Sequence, residues 1–168
     1  MERPRKVGIP VDGSEDSKKA LRWFLDNAAD PSDTVIFIHV QELLDLPLFN
    51  LKSGLNIPTE QWMKAITERN LIDEELSNEV TSMCQEKKIY CEYISVTNKK
   101  PGEGIVSVVT EMNIQLIVMG SRGLSNLRRT ILGSVSDYVL HHAQVPICIV
   151  PREYGLSSHS PAKKPPNE

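Results

Sequence analysis

A chain of 168 residues with 40% hydrophobic side chains is long enough for one domain with a substantial core. Its formal charge of -3 and a pI near 5.8 give no electrostatic ground for nucleic acid or an anionic membrane as a partner. No apolar run approaches the roughly 20 residues of a membrane span, the charged opening segment has no signal-peptide core, and Cys84, Cys91 and Cys148 form no C-x-x-C pair, so they read as reduced thiols of a cytoplasmic protein.

The pattern alternates between short apolar runs and helical spacing. Residues 7–12 read as a buried strand that breaks at Asp12-Gly13-Ser14. Ser14 or Asp16 then caps a helix with Ala20, Leu21, Phe24, Leu25 and Ala28 on one face. Asp30-Pro31-Ser32-Asp33 ends that helix, and the continuous apolar run 34–40 suits a strand covered on both faces. Residues 41–60 carry Pro47, Gly54 and Pro58 and read as a loop or lid. A long helix is expected from about 59 to 88, where Ala65, Ile72, Leu76, Val80 and Met83 keep helical spacing, with Trp62 and Met63 in core or lid packing. Next come a strand at 89–96, a helix opened by Pro101-Gly102, and a strand at 114–119. A glycine-rich stretch, 120–134, feeds a helix to about Ala143, followed by the last strand, Val145-Pro-Ile-Cys-Ile-Val150. The tail, 152–168, is expected to be disordered. This order predicts an α/β fold with a five-stranded parallel sheet and helices on both faces. In such sheets ligands sit beyond the carboxyl ends of the strands, which makes Asp12, Val40 and Gly120 expected neighbours.

The chemistry concentrates in one segment. Gly120-Ser-Arg-Gly123 directly follows a strand, and Gly133-Ser134 stands immediately before a helix. Glycines let backbone approach an anion and adopt positive φ, and the free amides and dipole of a helix start favour phosphate. Ser134 and Ser136 add hydroxyls. The segment is neither a Walker A loop nor a G-x-G-x-x-G dinucleotide fingerprint.

Gly120, Gly123, Gly133 and Ser134 match G-x-x-G-x(9)-G-[ST], and over about residues 5–151 the chain resembles the ATP-binding type of the universal stress protein family. The first strand and turn (Val11-Asp12-Gly13-Ser14), the fourth strand (Val118-Met119-Gly120) and the last helix and strand agree with the family in order. The resemblance implies a doubly wound, Rossmann-like sheet of order 3-2-1-4-5 in a domain spanning 1–151, from which the 41–60 insertion and the Pro-rich tail depart. It implies ATP, with or without Mg²⁺, as cofactor: Pro10, Val11 and Asp12 beside the nucleoside, Val40 at the adenine edge, and Met119 packed next to it. Gly120, Arg122, Gly123, Gly133, Ser134, Val135 and Ser136 would surround the phosphates. It also implies a homodimer joined through 145–150.

Blander readings stand beside these. Gly120 and Gly123 can simply make a turn, Asp12 can cap one, and Arg122 can be a solvated cation. Arg128 and Arg129 read as a solvated pair. His39 reads as a packed, hydrogen-bonded residue, and His141-His142 as a last helical turn favoured by the dipole rather than a metal site. Asp12 is the one acid expected near the nucleotide, no catalytic residue stands out, and no G-x-S-x-G elbow occurs. The function expected is a nucleotide-dependent regulator in the stress response. The alternatives are a slow ATPase or phosphotransferase and a nucleotide-independent dimerisation module. A phosphate-accepting receiver domain fits less well, since Val96-Thr97 and Pro151-Arg152 stand where it needs Asp and Lys.

Overall fold

The computed structural model describes residues 4–43, 59–121 and 132–151. Of the loop or lid expected at 41–60, residues 44–58 lie outside the described residues, as do the tail at 152–168 and Arg128 and Arg129. In chain order the elements are β1 (Lys6–Pro10), α1 (Glu15–Asn27), β2 (Thr34–Gln41), α2 (Thr59–Glu86), β3 (Tyr90–Thr97), α3 (Pro101–Glu111), β4 (Leu116–Gly120), α4 (Ser134–His142) and β5 (Ile147–Val150). All pairings are parallel and the sheet order is β3-β2-β1-β4-β5. The strand expected at 7–12 spans Lys6–Pro10, and the Val11 N–H still donates to the Ile38 carbonyl at 2.9 Å before the chain turns away.

Two apolar layers follow from the twofold alternation of strand side chains. Val7, Ile9, Val35, Phe37 and Val118 meet Ala20, Leu21 and Phe24 of α1 and Leu76, Val80 and Cys84 of α2. Ile36, Ile38, Ile117 and Met119 turn the other way, onto Ile105, Val108 and Val109 of α3 and Val139 of α4. Each fully buried aliphatic or aromatic side chain contributes roughly 1.5–3 kcal/mol. The division of helices follows from topology. Crossovers between parallel strands are right-handed, so α1 and α2, on connections leading away from β1 toward β3, share one face. The chain then reverses, and α3 and α4 cover the other.

Local chemistry sets the helix ends. Ser14 caps α1: its Oγ accepts the Ser17 N–H at 3.2 Å, while Glu15 and Asp16 in the first turn complement the dipole. Pro101 opens α3 at a position where its missing N–H costs nothing. Asn113 closes the same helix with φ 53°, a conformation Asn tolerates. All three cysteines are free, and burial pushes the Cys84 thiol up to about 12, so it behaves as a small apolar core group. No helix among the described residues is long and apolar enough to cross a membrane.

At the amino ends of the strands Asp33, 2% exposed, receives a forked hydrogen bond from Arg5, Nε to Oδ1 at 2.9 Å and Nη2 to Oδ2 at 2.6 Å. Arg5 also donates to the Ala28 carbonyl, tying the start of β1 to the α1–β2 turn. Arg5→Met strands a buried carboxylate. Because Arg5 itself is partly exposed, the expected loss is about 1–3 kcal/mol, measured as a lower urea midpoint at unchanged m.

Candidate nucleotide-binding site

The strand order reverses between β2 and β4, which flank β1, and a cavity of about 730 Å³ opens there at the carboxyl ends of the strands. Pro10, Val11 and Asp12 form its floor at the tip of β1, Val40 its edge on β2, and Met119 and Gly120 its edge on β4. Gly133, Ser134, Val135 and Ser136 bring the start of α4 to it. Residues far apart in sequence thus share one hollow. Arg122 and Gly123 lie outside the described residues. A second hollow, about 580 Å³, lies at the opposite end of the sheet around Arg5 and Asp33, whose charges are already paired.

The glycine segment leaves and re-enters the site at one point. The Gly133 N–H donates to the Ser121 carbonyl at 2.8 Å, and the Ser136 hydroxyl reaches the same carbonyl at 2.9 Å and the Gly133 carbonyl at 3.0 Å. Ser136 is 2% exposed, and its proton goes to this bracket. Gly133 is the N-cap of α4 and brings no side chain to bond the first turn. The amides of Ser134, Val135 and Ser136 have no intrahelical acceptor, and these residues line the cavity. This is the charge pattern that favours an anion.

Gly120 is glycine for a reason the sequence did not show. A Cβ there would stand 2.7 Å from the Asp16 carbonyl oxygen and 2.9 Å from its carbon, so α1 backbone crosses directly over it. Positive φ is found instead at Gly13, 77°, in the turn after β1. There Asp12 Oδ1 accepts the Ser14 N–H at 3.0 Å, so Asp12 shapes the turn as well as lining the cavity.

Several lining residues were not anticipated: Ser17, Ile38, His39, Gln41 and Glu42, Pro101 and Ile105, and from α2 Ala65, Glu68, Arg69 and Ile72. Asp12 is therefore not the only acid at the site, because Glu42 follows β2 and α2 carries Glu68 over it. Met63 is 64% exposed, so it is not a core residue. His39 is hydrogen-bonded, as its place in an apolar strand suggested. Its Nδ1 lies 2.5 Å from Asp73 Oδ1 on α2, and the Tyr93 hydroxyl donates to the same oxygen at 2.7 Å. Burial pushes the Asp73 carboxyl up, but hydrogen bonds from Tyr93, His39 and Ser95 outweigh it and hold the group below its ordinary value. Burial and the neighbouring Asp73 push the Tyr93 phenol far up. On α4 both histidine Nδ1 atoms reach carbonyls one turn back, at Asp137 and Tyr138, each at 2.8 Å. No cluster of three His, Cys, Asp or Glu among the described residues suits a metal ion.

The architecture defines a class: a doubly wound α/β domain with a hollow at its topological switch point. The comparisons make this specific. The universal stress protein family model matches residues 4–151, and the chain belongs to that family. It is 29% identical over 161 residues to universal stress protein PHOS32 of Arabidopsis thaliana, covering 87% of this chain and 64% of that protein, so it spans less than two thirds of that relative. It is 27% identical over 157 residues to universal stress protein MJ0577 of Methanocaldococcus jannaschii, covering 89% of this chain and 96% of that one. The solved MJ0577 structure superposes with a TM-score of 0.65 at 25% identity, over 90% of this chain and 98% of that one. A universal stress protein family structure from Arabidopsis thaliana with AMP bound has a TM-score of 0.66 at 22% identity, over 96% of this chain and 100% of that one, a likeness of fold.

Two outcomes follow. Gly120→Ala drives a methyl into α1 backbone and is expected to cost about 1–3 kcal/mol, read as a lower melting temperature without nucleotide. Asp73 has a folded pKa below its unfolded one, so its contribution is present above about pH 4 and is lost as pH falls through the folded value. Asp73→Asn should therefore lower stability by about 1–3 kcal/mol at pH 7 and flatten the decline below pH 4, measured by urea titrations across pH.

Proposed function

We propose that this protein binds an adenine nucleotide, ATP first among them, across the tip of β1, and that occupancy makes it a nucleotide-dependent regulator in the stress response. The observation that carries this reading is the convergence of the β1 tip, the β2 edge, Met119-Gly120 and the α4 start on one cavity. Its volume, about 730 Å³, falls within the roughly 300–1,000 Å³ typical of small-molecule sites. Family membership supports a stress-response role, and the AMP in a protein of the same fold supports the ligand class.

In this reading the phosphates meet the α4 amides and the Ser134 hydroxyl, joined by Arg122 and Gly123 of the intervening segment. The base and ribose lie toward Val40, Val11 and Asp12. Ser136 holds the bracket that keeps the two ends of the segment together. When bound, ATP would supply a polyanion for the α4 amides and the Ser134 hydroxyl to hold. Regulation requires that the nucleotide bind two states of the protein unequally. The edge strand β5 is the surface for a homodimer, a reading the family resemblance supports.

Gly133→Asp separates folding from binding. Aspartate is a good N-cap, so the variant should melt at or slightly above the wild-type temperature. Its carboxylate occupies the anion position, so ATP affinity by calorimetry should fall at least about tenfold. Equal affinity in the variant, or no binding by wild type, rejects the assignment.

A further inference from the structure

We propose that α2 is a wall of the ligand site and that the Arg69 guanidinium covers the nucleoside half of the ligand, a role that rests on the nucleotide reading above. Ala65, Glu68, Arg69 and Ile72 recur at the spacing of one helix face, and all of them line the cavity. Ile72 is 63% exposed although it faces this hollow, an apolar side chain that a flat ring would cover.

This stretch of α2 is held by polar contacts at the rim of the cavity. Arg69 Nη2 donates to the Glu42 carbonyl, and one turn on Asp73 takes the bonds from His39 and Tyr93. Apolar burial begins only at Leu76. Arg69 is half-buried, lines the cavity and pairs with no carboxylate among the described residues, which places its guanidinium to meet a ligand.

Position and charge select the half of the ligand it meets. β2 and β4 flank β1, so their tips stand about 10 Å apart, two strand spacings. The open amides lie on the β4–α4 side, whereas Arg69 is fastened beyond the end of β2. Glu42 and Glu68 line the cavity at that end and disfavour a phosphate there. What suits a guanidinium and an apolar side chain beside two carboxylates is a base stacked on Arg69, with its amine and ribose hydroxyls offered to the acids.

Calorimetry of the full chain with ATP, AMP and inorganic tripolyphosphate tests this, using wild type, Arg69→Met and Arg69→Lys. The expected result is a loss of about tenfold for ATP and for AMP alike in Arg69→Met, no change for tripolyphosphate, and partial recovery in Arg69→Lys. Unchanged AMP affinity overturns the proposal. So does a loss confined to tripolyphosphate and ATP, which places Arg69 on the phosphates. An equal loss for all three ligands also overturns it, because it marks a tether of α2 rather than a contact. Wild type binding none of the three removes the nucleotide reading itself, whereas normal wild-type binding with an inert Arg69→Met removes this proposal alone.

Discussion

The carbonyl oxygen of Ser121 is where the site is closed. It accepts the Gly133 amide at 2.8 Å and the Ser136 hydroxyl at 2.9 Å, so the chain that leaves β4 and the chain that enters α4 are fastened to one atom. Val139 anchors α4 in the core, and the bracket adds a direct polar tie between the first turn of α4 and the end of β4. An anion site built from backbone amides depends on this registry, because an amide's direction is set entirely by the chain around it. Ser136 is buried for the same reason, and a hydroxyl committed to two carbonyls in a dry place holds geometry more firmly than an exposed one would.

The hollow above this bracket is a consequence of topology. The chain winds outward from β1 through β2 to β3, then returns to add β4 and β5 on the other side. Connections of one hand place α1 with α2 on one face and α3 with α4 on the other. At the reversal the connections leaving β1 and β4 part company, and the gap is the cavity. Close backbone approaches tighten its walls: α1 crosses Gly120, and Gly104 lets α3 settle against Val40, whose Cγ1 would lie 2.9 Å from any Cβ there. Gly120 and Gly104 therefore serve close packing.

The long helix α2 belongs to both core and site. Its last turns are buried through Leu76, Val80 and Cys84, while Asp73 at mid-helix bonds to His39 and Tyr93 of the sheet and Arg69 to the Glu42 carbonyl just beyond β2. The wall at the cavity rim is fastened by a few charge-assisted contacts, each worth roughly 1.5–3 kcal/mol, comparable to burying one aliphatic side chain.

Much of this was legible in the amino-acid sequence. Apolar alternation and helical spacing gave the order of elements, Ser14 announced the start of α1, and the spacing of Gly120, Gly123, Gly133 and Ser134 pointed to the family and to the segment that matters. These are local signals, written within one element or one loop. The contribution of α2 was not legible, because helical spacing says which residues share a face but not what that face meets. Nor was the reason for Gly120, which is the backbone of a helix a hundred residues upstream in the chain. The pairing of His39 with Asp73 and Tyr93 likewise joins three elements that only the folded sheet brings together. Sequence determined the elements and the chemistry of the loop, because both rest on short-range backbone preference. Tertiary structure decided which side chains surround the cavity, because that depends on crossover hand and strand order, which no local pattern encodes.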